Sequence, residues 1–524
     1  MKKNHARFSR RRAVVLVAVQ LLLLAHILWW LAHGSTISPL EPSEAMSFAK
    51  EGVVNAGLVL FVVAIAATLI FGRYFCGWGC HLLLLQDFCR WLLLKIGIRP
   101  RPFRSRTLKL VPVAAFVYMF LWPFVVRMRL GQPSPETTIE LSTNSFWATF
   151  PGPWESTLTL LVAGFVVVYL LGSKAYCNYA CPYGAILGAV DNFAIGRIQV
   201  SDACQQCGKC TAACSSDVRV HEEVRDFGVV MDPNCMKTMD CIAACPNDAL
   251  SFGFGKPAAL TKQRAKGRQS KIGVPSWPEE ILLLAAYAFG FFSTHALYGR
   301  FPFLLALGFG IMAAFGALTL KRVLQRKDYT FMGKHLKRKG RLTSVGAVHL
   351  ILILVGAGLF SHSLWIQSHR WTRDRAFAET NFHRGLWLSG NFSIETIAQE
   401  SQGAMNIAAA EATWLRSHGL LNDDLNYFVQ AWDALFEGDY EGFEEGILAV
   451  LDLRPDFGEV QMQYAYFLMN VQRFHDARLQ LDAVSPRDPR YVDAQRSAIA
   501  LQEQLGNSED AAKRTEALEA LGFD

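Results

Sequence analysis

Cys204-Gln-Gln-Cys207-Gly-Lys-Cys210-Thr-Ala-Ala-Cys214 places four cysteines in eleven residues, and Cys235, Cys241 and Cys245-Pro246 follow. The first run has the spacing C-x2-C-x2-C-x3-C. That spacing lets three thiolates on one tight loop take three corners of an iron–sulfur cube, while the fourth corner is filled from elsewhere in the chain. Where two such runs occur together, the fourth ligand comes from the other run, so the motifs are read crosswise. One site then takes Cys204, Cys207, Cys210 and Cys245, and the other takes Cys214, Cys235 and Cys241.

The second site is one cysteine short. Regular spacing would put it at 238, but the chain reads Cys235-Met-Lys-Thr238-Met-Asp240-Cys241. Three cysteines suit a [3Fe-4S] cluster, or a [4Fe-4S] cluster with one non-cysteine ligand. Asp240 could supply that oxygen and, less well, so could Thr238. A zinc ribbon is the competing reading of C-x2-C pairs, but it separates its pairs by a long loop and has no use for four cysteines so close together.

Moving outward from the cysteines, the chain is too apolar for an ordinary soluble protein: 52% of its 524 residues are hydrophobic and the mean hydropathy is +0.19. Stretches of the length that crosses a bilayer, about 20 apolar residues, recur at 13–33, 52–72, 108–127, 157–172, 281–298, 301–320 and 344–362. Arg7, Arg10, Arg11 and Arg12 precede the first, and no small-residue cleavage site follows it, so it reads as an uncleaved anchor. The expected fold class is mainly α, a polytopic helical membrane protein of about seven spans. An α+β two-cluster ferredoxin-like domain is inserted in it, and a helical repeat domain follows.

Charge orients the spans. Residues 371–524 hold 26 Asp and Glu against 12 Lys and Arg, a net of −14, so residues 1–370 must carry +21 to give the total of +7. The positive charge gathers in the N-terminus, 73–109, 173–274 and 321–341, which alternate with the other loops. The positive-inside rule then makes these four segments cytoplasmic. Their juxtamembrane position argues against nucleic acid as their partner. All twelve cysteines fall on that reducing side, where thiols persist as metal ligands and a disulfide framework is excluded.

Two further cysteine pairs lie just past the second and fourth spans. They are Gly72-Arg-Tyr-Phe-Cys76-Gly-Trp-Gly-Cys80-His81 and Gly172-Ser-Lys-Ala-Tyr-Cys177-Asn-Tyr-Ala-Cys181-Pro182-Tyr-Gly184, 101 residues apart, and they read as an internal repeat. Cys76, Cys80, Cys177 and Cys181 could converge on a third cluster, bind a soft ion such as Cu(I), or stay as free thiols. Cys89 has no partner at ligand spacing and reads as a small buried hydrophobe. The expected domains are 1–196 (hairpins with both pairs), 197–256 (iron–sulfur domain), 257–277 (basic linker), 278–370 (three further spans) and 371–524 (helical repeats, periplasmic). In the last of these, Gly438-Asp-Tyr440, Gln472-Arg-Phe474 and Gly506-Asn-Ser508 recur every 34 residues, as do Pro455 and Pro489. That is the period of tetratricopeptide repeats, whose surfaces dock partners.

The paired Cys-x3-Cys motifs after membrane hairpins, followed by the two-cluster segment, resemble the NapH/NosR/CcoG group of membrane-bound polyferredoxins over about residues 13–256. The carriers are Arg73-Tyr-Phe-Cys76-Gly-Trp78-Gly-Cys80 and Tyr176-Cys177-Asn-Tyr-Ala-Cys181-Pro182-Tyr-Gly184. His81 departs from the group, which usually has proline there. The resemblance implies a bacterial inner-membrane redox protein. Members of the group serve as electron-transfer subunits beside periplasmic reductases, as accessory proteins for nitrous oxide reduction, or as copper-handling assembly factors.

The expected function is therefore electron relay between a quinol or cytoplasmic donor and a redox partner docked on the repeat domain. A copper reductase or assembly factor and a redox-sensing scaffold are the alternatives. No Gly-rich nucleotide fingerprint stands out. His349 and His362 are spaced for two stacked haems, but His26 and His33 do not match them. With His295, these histidines read as internally hydrogen-bonded, and quinone binding near the outer face has no residue pattern of its own.

Overall fold

The computed structural model describes residues 2–100, 103–131, 133–143, 152–265, 267, 274–380, 394–486, 488 and 490–520. Pro489, one of the two prolines at repeat spacing, lies outside them, as does the Lys271 end of the basic linker. The chain divides into two compact units. One comprises 1–295 and 302–358, the other 296–301 and 359–524.

The first unit is a set of apolar helices with the cysteine-bearing segments folded at one end. All seven apolar stretches are helical over most of their length, the second only from Ala56, after the short strand Val53–Val54. Five are long and apolar enough to cross a membrane: Arg10–His33, Leu108–Arg129, Pro153–Leu171, Phe303–Gln325 and Ser344–Glu379. Ala56–Phe71 has only 16 residues, about 24 Å at 1.5 Å per residue, short of a ~30 Å hydrocarbon core. Trp277–Thr294 opens on Glu279 and Glu280. Glu279 closes a capping box with Ser276 and pairs with Arg322 at 2.8 Å. The fully buried Glu280 accepts from Ser105 Oγ at 2.6 Å and from Thr107 Oγ1 at 2.8 Å, and so pins the 105–107 loop to this helix. Helices such as 344–379 and 10–33 leave Val14, Leu22, Val348, Ile351, Leu352 and Val355 exposed. An aqueous surface does not tolerate so continuous an apolar face, and a bilayer requires one.

The internal repeat is visible in the backbone. Helix Ala56–Phe71 ends at Gly72 (φ +68°), a short helix Tyr74–Trp78 carries Cys76, and Cys80 is the extended residue capping His81–Lys95. Likewise Pro153–Leu171 ends at Gly172 (φ +106°), Ala175–Tyr179 carries Cys177, and extended Cys181 caps Pro182–Asp191. Proline at 182 suits the first helical position, whose N–H is unbonded anyway; His81 fills that position in the first copy. Both glycines adopt a φ that side chains disfavour. A Cβ on Gly72 would also stand 2.5 Å from Lys237 Cε and 2.6 Å from Asp191 Oδ1.

After the second copy, the antiparallel strands Gly196–Val200 and Leu250–Phe254 pair from Gly196 with Phe254 to Val200 with Leu250. They frame three short helices, Lys209–Ala213, Val220–Phe227 and Asp240–Ala243. Their small core of Ile198, Val218, Val220, Val224, Val230 and Leu250 includes Cys235 and Cys241.

The second unit stacks antiparallel helices. Asp424–Phe436 and Gly458–Asn470 start 34 residues apart, and so, in turn, do Tyr440–Leu453, Phe474–Ala483 and Ser508–Ala520. Gly438, Gln472 and Gly506 occupy the same turn position with φ of +79°, +62° and +76°. Trp432, Phe443, Ile447, Leu468, Leu481 and Ala498 fill the interior.

Candidate iron–sulfur sites

Cys204, Cys207, Cys210 and Cys245 line one pocket, together with His221, Val224, Pro246 and Leu250. The left-handed Gly208 (φ +71°) turns the loop so that Cys207 and Cys210 flank it. Cys207 is exposed and the other three are half-buried. These are the four residues that crosswise reading brings together.

Cys214, Cys235 and Cys241 lie beside one another in the adjoining core, Cys235 and Cys241 buried. Thr238 stands where a fourth cysteine would be. Its hydroxyl donates to Asp240 Oδ2 at 2.9 Å, and Ser215 Oγ donates to the same oxygen at 2.6 Å. Two hydroxyls thus hold the Asp240 carboxylate at the edge of the site.

The membrane-edge pairs also converge: Cys76, Cys80 and Cys177 share an apolar cluster with Leu16, Leu83 and Met236. The Cys181 thiol lies near enough to Cys177 and Cys76 for their charges to act on it. Burial pushes the Cys181 and Cys214 thiols up to about 12 and raises those of Cys80, Cys177, Cys235 and Cys241. Buried thiols of this kind become thiolates only when a cation compensates them, which iron bound at the sulfurs does. Among the described residues no three His, Cys, Asp or Glu side chains are grouped for a single metal ion.

Reading the sequence by spacing missed the charges that join these sites. Asp191, fully buried, takes Lys237 Nζ at 2.9 Å, Arg197 Nη1 at 3.2 Å and the backbone N–H of Arg73 at 2.9 Å. Arg73 Nη1 donates to the Pro233 carbonyl at 2.8 Å, and Trp78 Nε1 to that of Lys237 at 2.9 Å. Asp87 joins Arg12 and Lys174 at 2.7 and 2.9 Å. Apart from Arg197, six residues from Asp191, these partners are 46 to 160 residues apart and leave no local pattern to find. The only signal was Arg73 immediately before a cysteine motif, where it reads equally well as a juxtamembrane positive charge.

Most of the remaining candidates take ordinary roles, but His362 Nδ1 is buried without a hydrogen-bond partner, against the expectation for it. Cys89 is fully buried, and a Cβ on Gly164 would stand 2.9 Å from its sulfur. His81 Nε2 lies 3.4 Å from Glu41. His33 and His349 bond carbonyls one turn back, and His26 bonds that of Ile37. His295 packs among Tyr118, Phe291 and Phe303.

Fold and sites together define a membrane protein with 4Fe-4S clusters and an electron-transfer role. A family described as "4Fe-4S binding domain" matches residues 55–99 and 156–198, one match for each Cys-x3-Cys pair, and a "4Fe-4S dicluster domain" matches 197–246. The Escherichia coli protein YccM is 27% identical over 217 residues, 40% of this chain and 58% of that protein. The methylamine utilization ferredoxin-type protein MauN of Methylorubrum extorquens is 26% identical over 266 residues, 47% of this chain and 88% of its own. The ferredoxin-type protein NapH of Haemophilus influenzae is 25% identical over 212 residues, 38% and 67%. No solved structure matches. The chain is polyferredoxin-like, and these likenesses cover less than half of it.

Proposed function

We propose that the chain is a three-centre relay. Electrons enter at the exposed Cys204/Cys207/Cys210/Cys245 centre, pass to the Cys214/Cys235/Cys241 centre, and reach a third centre held by Cys76, Cys80, Cys177 and Cys181. One observation carries this order. Cys235 belongs to the ferredoxin-type core, while its neighbour Met236 packs among Cys76, Cys80 and Cys177. A Cβ on Gly77 would stand 2.0 Å from the Met236 carbonyl oxygen, so the two loops touch backbone to backbone. Clusters suit such a path because their potentials are set by hydrogen bonds, charge and exposure.

In this reading seven helices span the bilayer, the cysteine-bearing loops face the cytoplasm, and residues 371–524 form a periplasmic tetratricopeptide-like surface for a redox partner. A quinol or a cytoplasmic donor supplies the electrons. Asp240, anchored by Thr238 and Ser215, is the oxygen donor available to the three-cysteine site. Iron and acid-labile sulfide per chain on anaerobically purified protein, with EPR, test it. About 11–12 irons are expected, and about 7–8 would remove the third centre. Copper at the membrane-edge cysteines would replace the relay by a copper-handling role. Failure to pass electrons from photoreduced clusters to a reconstituted partner would leave a scaffold.

A further inference from the structure

Arg73 is a charged side chain 2% exposed, and its guanidinium is not neutralised as the neighbouring cations are. Arg197 and Lys237 share Asp191, and Lys174 has Asp87. Among the described residues no carboxylate lies within ion-pair distance of the Arg73 guanidinium. Nη1 is occupied by the Pro233 carbonyl, Nε and Nη2 meet no oxygen acceptor, and the Cys76 thiol is the side-chain acceptor at the guanidinium. The groups whose charge reaches them are the sulfurs of Cys76, Cys177 and Cys181. The fold keeps space for this side chain: a Cβ on Gly184 would stand 3.1 Å from Nη2 and 2.5 Å from the Cys177 carbonyl oxygen. A second donor points the same way, Gln86 Nε2 to Cys177 Sγ at 3.0 Å, from a side chain 3% exposed. A buried cation with two donors that meet no oxygen is costly unless an anion completes it.

We infer that Arg73 is the counter-cation of the centre held by Cys76, Cys80, Cys177 and Cys181, and that it raises that centre's reduction potential above what four thiolates alone would give. The inference rests on the third centre proposed above. A cluster bound by four thiolates is anionic and gains another negative charge on reduction. A fixed positive charge beside it therefore favours the reduced form more than the oxidised one. Arg73 is a positioning and tuning residue, outside the set of ligands.

The test is an EPR-monitored redox titration, with iron counting, of full-length wild type, Arg73→Gln and Arg73→Lys. The expected result is about 12 irons in all three. In Arg73→Gln the reduction equilibrium of one centre falls at least tenfold, which is about 59 mV or more for one electron. The other centres stay in place, and lysine restores most of the shift. If glutamine loses the third centre's iron and lysine keeps it, charge is what the site needs and the inference stands. Iron kept with an unmoved potential, or iron lost equally with lysine and glutamine, overturns it. Wild type with only about 8 irons fails earlier, at the third centre itself.

Discussion

Around the cysteine loops, between residues 72 and 254, a small apolar core is interleaved with thiols, carboxylates and guanidiniums. Between 424 and 518 the interior is Trp432, Phe443, Ile447, Val460, Leu468 and Leu501. The first region has two five-residue strands and helices of 4 to 10 residues apart from His81–Lys95 and its membrane helices, too little apolar surface to hold itself. Its loops are tied by Asp191 and by cysteines whose metal binding is part of their folding energy. The second region closes by packing amphipathic helices, each against its neighbours. The difference is where stability resides: in a few irreplaceable atoms on one side, spread over many methyl groups on the other. Damage to either should therefore leave the other standing.

The largest expected effect is Cys177→Ser combined with Cys181→Ser, which should lower iron from about 12 to about 8 per chain. Hydrogen exchange over 424–520 should stay unchanged. Unaltered iron would show that these thiols hold no cluster.

The converse is Asp423→Ala. This carboxylate, 2% exposed, receives Arg373 Nη1 at 3.0 Å and Arg370 Nε at 3.1 Å inside the second unit. Removing it takes the shared carboxylate from two buried guanidiniums, of which Arg373 keeps Asp374 at 2.7 Å, and should cost about 3 kcal/mol, read as faster exchange over 424–520 with full iron retained. Burial alone would raise the Asp423 pKa, but Arg373 and Arg370 more than reverse that and lower it. Its contribution is therefore complete above the ordinary carboxylate value of about 4 and is lost as pH falls through the lowered one. Protection factors that do not fall on acidification in this range would deny the ion pair that role.

What the sequence made legible follows the same division. Cysteine spacing is local, so the four-cysteine cavity, the gap at Thr238 and both Cys-x3-Cys copies are legible in the order of residues alone. The 34-residue period is local as well. The charges that lock these parts together are not: Arg73 meets Pro233, Lys237 meets Asp191, and Arg373 meets Asp423 across distances that no spacing rule spans. Span length was harder still, because Ala56–Phe71 stops at a glycine required by the loop behind it.

Thr238→Cys sharpens the contrast within the first region. A cysteine there restores regular spacing. It should add about one iron if the site holds three, converting an oxidised [3Fe-4S] signal into a diamagnetic oxidised [4Fe-4S] state. No change in iron with an altered reduced spectrum would instead show that an oxygen ligand had been replaced.

The smallest effect belongs to the repeat turns. Gly438 and Gly506 take a left-handed φ at no cost, whereas Gln472 holds φ +62° at the equivalent place with a side chain that disfavours it. That strain amounts to roughly 1 kcal/mol for a non-glycine residue. Gln472→Gly removes it but gives the unfolded chain more freedom, which offsets part of the gain. A net stabilisation of about 0.5 kcal/mol is expected, seen as slower exchange in 458–483 alone. A loss of stability instead would mean that the Gln472 side chain contributes more than its backbone costs, and that the three turns are equivalent in shape but not in energy.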